Sequence, residues 1–113
     1  MRAIFDENVP HAFARSLEAA GIVVEHFPKA WKGLQNGRLL ARLKAEGFAC
    51  LITCDKNLVF QRAIDESGLC VLVLPVSKLA ELELLAAAVA EALVVLRAGQ
   101  IASLHSDGRL VVS

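Results

Sequence analysis

Residues 2–10 read RAIFDENVP: an apolar run, Ala3-Ile4-Phe5, that ends in two adjacent carboxylates, an amide and, one residue on, a proline. Residues 49–57, ACLITCDKN, repeat the pattern, with Leu51 and Ile52 leading through Thr53 into Asp55. Short continuous apolar runs of this kind are strands covered on both faces. Packing alone gives no reason to end both on an aspartate, so these two stretches set the expected fold and the first candidate site together.

Working outward, PHAFARSLEAAG (10–21) changes to helical spacing, with Phe13, Leu17 and Ala20 at i, i+4 and i+7. Asn8 is its expected cap, Pro10 suits its first turn and Gly21 its end. IVVEHF (22–27) reads as a second strand, PKAWKGLQNG (28–37) as a loop and RLLARLKAEG (38–47) as a helix. NLVFQRAIDESG (57–68) reads as a short helix with Asn57 near its cap, and LCVLVLP (69–75) as a fourth strand. Strands alternating with helices imply crossover units, hence a mainly parallel sheet of order about 2-1-3-4 in a three-layer α/β sandwich with helices on both faces. Ser77 is the expected cap of a long helix over 78–98, and the tail IASLHSDGRLVVS suits a hairpin turning at Asp107-Gly108.

The 113 residues are expected to form one domain, 1–113. Twelve basic residues balance twelve acidic ones, so nothing in the net charge draws the chain to nucleic acid, and such binding would rest on local patches. The 56% hydrophobic content and mean hydropathy of +0.53 point to extensive burial. LLAAAVAEALVVL (84–96) is apolar nearly all round, which fits either a homodimer or partner contact through the helix 78–98 or simple core burial. Glu81, Glu83 and Glu91 argue against a membrane span, each costing about 2.5 kcal/mol or more at bilayer depth. Cys50, Cys54 and Cys70 are an odd number in or beside apolar runs, expected to be reduced thiols, and the histidines His11, His26 and His105 show no zinc-ligand spacing. With no cationic, apolar leader at the start, the expectation is a cytoplasmic protein.

Ligands of open parallel α/β sheets sit beyond the carboxyl ends of the strands, where the strand order reverses. In a 2-1-3-4 sheet Asp6 and Asp55 stand side by side at that point. Neighbouring carboxylates repel unless a cation or proton lies between them, and hard oxygen donors suit Mg²⁺ or Mn²⁺. The alternative is that each aspartate caps the helix that follows. Glu7 is either a supporting carboxylate or first-turn charge, and Thr53 either a strand former or a hydrogen-bond donor to the site. Arg38, Arg42, Lys56 and Arg62 are candidates for a basic rim. Trp31 either stacks on a base or anchors its loop in the core.

Taken together, DExxP (6–10), WxGLxNGxLL (31–40) and TxDxNLxxQ (53–61) resemble the PIN-like domains, an offshoot of the PIN nuclease fold related to VapC-type toxins of bacterial toxin–antitoxin pairs. The resemblance covers residues 1 to about 75. It implies a metal-binding hydrolase, a ribonuclease in which Asp6 and Asp55 hold Mg²⁺ or Mn²⁺, with Asn8, Asn36 and Asn57 near metal-bound water or phosphate; beside these, Glu7 is expected as a supporting catalytic acid and Arg38 and Lys56 as phosphate-binding cations. RNA and a cognate antitoxin protein are the implied partners. The chain departs from the pattern at Arg38, where relatives look as if they carry an acid after NG. A guanidinium there repels a divalent ion and instead binds phosphate or pairs with Asp6 or Asp55. The competing expectation is therefore a catalytically impaired RNA-binding or protein-interaction module.

Overall fold

The computed structural model describes residues 2–34, 36–56 and 67–112, with the side chain of Asn36 left out. Among the described residues the six strands are β1 (Ala3–Phe5), β2 (Val24–Glu25), β3 (Cys50–Thr53), β4 (Cys70–Val73), β5 (Ile101–Leu104) and β6 (Leu110–Val112). Among the described residues the four α-helices are α1 (Phe13–Ala19), α2 (Asn36–Ala45), α3 (Leu79–Glu83) and α4 (Ala86–Val95). One sheet joins all six strands in the order β2-β1-β3-β4-β5-β6. The expected 2-1-3-4 order is contained in it, and the expected terminal hairpin extends it as β5 and β6. Every pairing is parallel except β5 with β6.

Alternation along the strands sends side chains to two cores. Ala3, Phe5, Cys50, Ile52, Cys70, Leu72, Ala102 and Leu104 face one way, against Phe13 and Leu17 of α1, Leu82 of α3 and Val89 and Leu93 of α4. Ile4, Leu51, Val71, Val73 and Ile101 face the other, against Leu39, Leu40 and Leu43 of α2 with Phe27, Trp31 and Phe48. Trp31 is buried and meets Phe27 and Phe48 edge-on at 6.2 and 6.3 Å, so it anchors its loop in the core.

Two helices stop by the same device. After α1, the Gly21 N–H reaches the Glu18 carbonyl and Ile22 N–H the Leu17 carbonyl, at 3.0 and 2.9 Å; after α2, Gly47 and Phe48 repeat those bonds to Lys44 and Leu43. The glycines sit at φ 90° and 85°, a conformation a side chain disfavours, which is why the sequence signals these ends.

The crossovers do not share one hand. The β1–β2 connection moves one way across the sheet with α1 on one face, and the β2–β3 connection moves the other way with α2 on the opposite face, so these two agree. The β4–β5 connection moves in the direction of β2–β3, yet α3 and α4 pack on the α1 face. It therefore has the opposite hand, against the strong preference for one hand in parallel crossovers.

Three local expectations are corrected. The long helix 78–98 is two helices, broken at Leu84–Leu85, where the Leu85 N–H bonds the Leu82 carbonyl at 2.8 Å in a tighter turn, and α4 ends at Val95. The segment has no glycine or proline to mark the break; the division lets both pieces contact α1. Leu82, Leu85, Val89, Ala92 and Leu93 are buried in the chain's own core, while Leu84 and Val94 are 87% and 77% exposed. Ser77 does not cap α3, whose N-cap position is Lys78 without a side-chain bond. Nor does Asn8 cap α1, which begins at Phe13 after Ala12. Among the described residues no helix is long and apolar enough to cross a membrane. The helix expected over 57–68 lies almost wholly outside the described residues.

Candidate functional site

At the carboxyl ends of β1 and β3, residues far apart in sequence are tied together by one hydroxyl. Thr53 closes β3, is 1% exposed and is the one buried polar side chain among the described residues. Its Oγ1 donates to Asp6 Oδ2 at 2.9 Å, and accepts from the Asp55 backbone N–H at 3.0 Å and from Asn8 Nδ2 at 3.3 Å. A hydroxyl has one proton and two lone pairs, so this set saturates it. Asn8 Oδ1 in turn accepts the Cys54 N–H at 3.0 Å. The local chain supports the arrangement: Asp6 N–H extends the ladder to the Ile52 carbonyl at 2.8 Å, and Asp6 Oδ1 accepts the Glu7 N–H at 2.9 Å.

Asp6 and Asp55 are thus brought to the ends of adjacent strands and share Thr53 as a neighbour. Asp6 is half-buried and Asp55 exposed. Glu7 is exposed, and its contribution to this network is its backbone N–H. Arg38 lies exposed in the first turn of α2 and makes no ion pair among the described residues, so the pairing with Asp6 or Asp55 expected as one alternative is not formed. Asn36 opens α2 with its side chain undescribed, and Asn57, Arg62, Asp65 and Glu66 lie outside the described residues. Lys56 is exposed directly after Asp55. Arg42, a turn further along α2, pairs with Glu46 at 3.9 Å.

The Cys54 thiol records the local field. Burial raises its pKa most, the Asp6 carboxylate raises it further and the Lys56 ammonium lowers it. Cys50 and Cys70 are register partners on β3 and β4, and all three cysteines are free. The Cys50 thiol is pushed well up by its hydrogen bond with Cys70 and by burial.

Carboxylate oxygens are donors of the kind a hard divalent cation takes. Each Asp6 oxygen spends one lone-pair direction on a protein donor, leaving capacity for a ligand. Mg²⁺ is commonly held by one or two carboxylates, with water and substrate phosphate completing its shell. Among the described residues no group of three or more His, Cys, Asp or Glu side chains is gathered where it could hold a metal ion.

Two features escaped the sequence reading. The rings of His11 and His26, which have no evident relation in sequence, lie 4.7 Å apart beside Phe5, and border a 540 Å³ groove with Arg15 and Glu18. Beyond β4 and β5, Lys56, Ser103 and His105 border a 240 Å³ cavity. His105 follows β5, whose parallel pairing with β4 the hairpin expected for the tail did not include. Comparison with known proteins finds no family model, no curated protein and no solved structure that matches the chain.

Proposed function

We propose that the protein is a PIN-like domain that hydrolyses RNA with Mg²⁺ or Mn²⁺ at Asp6 and Asp55. The observation that carries this reading is the Thr53 hydroxyl, which orients the Asp6 carboxylate while holding the backbone of Asp55. A buried residue that fixes a carboxylate facing outward is the support a metal-ligating acid needs. A cation bound there would polarise a phosphoryl oxygen and acidify a water molecule. Asp6 and Asp55 bind it, Thr53 and Asn8 keep the two strand ends in register, and Lys56 attracts the phosphate chain. The toxin role, a protein antitoxin and self-association belong to the same reading, with Leu84 and Val94 as exposed apolar contacts for a partner.

The test pairs a Mn²⁺ titration with RNA cleavage. Millimolar Mn²⁺ is expected to raise the melting temperature and to support cleavage, and Asp6→Asn to abolish both effects. Absence of both from the native protein overturns the reading.

The second reading is an RNA-binding or protein-interaction module that does not cut. Arg38, exposed where the resemblance implies an acid, is the observation that favours it. If Arg38→Glu gains Mn²⁺-dependent cleavage that the native chain lacks, the arginine has disabled a nuclease site.

A further inference from the structure

The carboxyl edge of the sheet continues past the aspartates to a second place with binding chemistry. Beyond β4 and β5 lies a cavity of 240 Å³, bordered among the described residues by Lys56, Ser103 and His105 on its polar side and by Val73, Pro75 and Leu104 on its apolar side. Its size is below the roughly 300–1,000 Å³ of a site for a drug-sized molecule, so it holds a single base or sugar-phosphate unit rather than a longer stretch of chain. The polar side supplies donors of the kinds that phosphate takes: an ammonium, an imidazole N–H and a hydroxyl. On the apolar side Pro75 is half-buried, with the edges of the buried Val73 and Leu104 behind it, a surface against which an unstacked base can pack. Among the described residues Lys56 makes no ion pair, so its charge is not already neutralised by an acid there. Val73 and Ser103 lie on the sheet face opposite α3 and α4, so the unusual hand of the β4–β5 crossover keeps those two helices away from them.

We infer that this cavity is a nucleotide subsite for single-stranded RNA, with Lys56, His105 and Ser103 on a phosphate and Pro75 against its base. The inference rests on the proposed reading of the Asp6 notch as the place where RNA is cut, and extends it from the cut phosphate to a neighbouring unit of the same strand. Lys56 belongs to both, because it borders the cavity and directly follows Asp55 at the end of β3. A strand laid along the carboxyl edge from β1 across β3 and β4 to β5 would meet the acids first and this cavity next.

Binding of a fluorescein-labelled single-stranded RNA oligonucleotide to the full chain, followed by anisotropy in EDTA, tests the subsite without requiring cleavage. Lys56→Ala and His105→Ala should each weaken binding about tenfold, and Lys56→Ala should also lower the slope of log affinity against log salt by about one phosphate contact. Both side chains are exposed, and unchanged melting temperatures for the variants would show that they fold. Ser103→Val should weaken binding with no change of salt slope. Wild-type binding unchanged by Lys56→Ala and His105→Ala overturns the subsite; if the same protein cleaves RNA with Mn²⁺, the nuclease reading survives that failure. Absence of any RNA binding overturns the subsite and removes support for the nuclease reading as well. Uridine 5′-monophosphate binding as tightly as the oligonucleotide also overturns it, since the cavity would then read a free mononucleotide rather than a strand.

Discussion

Thr53 and Asp6, forty-seven positions apart in sequence, are joined by a 2.9 Å hydrogen bond in which the Thr53 hydroxyl donates to Asp6 Oδ2. The same oxygen accepts from Asn8 and from the backbone of Asp55, so one buried atom governs both strand ends. Thr53→Val keeps the shape and removes that atom, leaving one acceptor and two donors without their partner. The expected cost is about 1–3 kcal/mol in urea unfolding, together with weaker Mn²⁺ stabilisation. Thr53→Ser should recover most of both. A valine variant as stable as the native chain would show that the network contributes nothing.

Asn8 bonds Thr53 and the Cys54 N–H rather than the start of α1. Asn8→Ala is expected to lower stability by about 1 kcal/mol and to speed hydrogen exchange at the Cys54 amide. Exchange at the first amides of α1 should be unchanged. Faster exchange there would restore the capping role.

The Cys54 thiol is held protonated by burial and by the Asp6 carboxylate. A divalent cation bound as proposed at Asp6 would cancel the second influence, lowering the thiol's pKa and raising its thiolate fraction. Alkylation of Cys54 by iodoacetamide is therefore expected to accelerate on adding Mg²⁺, and Asp6→Asn should be fast without metal and insensitive to it. Cys50 and Cys70, buried between helix layers, should react only on unfolding. Peptide mapping of the alkylated protein distinguishes the three.

At the opposite end of the sheet Arg2 binds Glu25 at 2.7 Å and covers the Phe48 ring at 4.1 Å. The hydrogen bond from Arg2 holds the Glu25 carboxyl below its ordinary pKa. A lowered folded pKa means that the ion pair's contribution is present above the ordinary carboxylate pKa and is lost as pH falls through the lowered value. Both side chains are well exposed, so the effect is small and screened by salt. The stability difference between native protein and Glu25→Gln should be largest near neutral pH, shrink in acid and fade in about 1 M salt. A difference that persists in acid would assign it to packing instead.

The break between α3 and α4 makes neighbouring leucines unequal. Leu82 is fully buried and Leu84 is 87% exposed. Leu82→Ala is expected to cost about 2–5 kcal/mol, and Leu84→Ala less than about 0.5 kcal/mol, by chemical denaturation. Equal costs would mean that the two side chains share a core.

The amino-acid order by itself determined the strand ends and two of the helix stops. Continuous apolar runs can be satisfied only when covered on both faces, and Gly21 and Gly47 occupy φ values that other residues avoid. It also brought Asp6 and Asp55 to adjacent strands, because a parallel sheet places every strand-to-helix turn on one edge. Other choices belonged to the tertiary structure. Asn8 suits a helix cap as well as it suits Thr53, and only the approach of β3 to β1 selects between them. Residues 84–96 are apolar nearly all round, so no phase in the sequence specifies which side is buried, where the helix breaks or which face of the sheet it crosses; packing against α1 decides all three. His105 shows nothing locally beyond an exposed histidine before a turn. Its place beside Lys56 comes from the pairing of β5 with β4, a contact that no local pattern encodes.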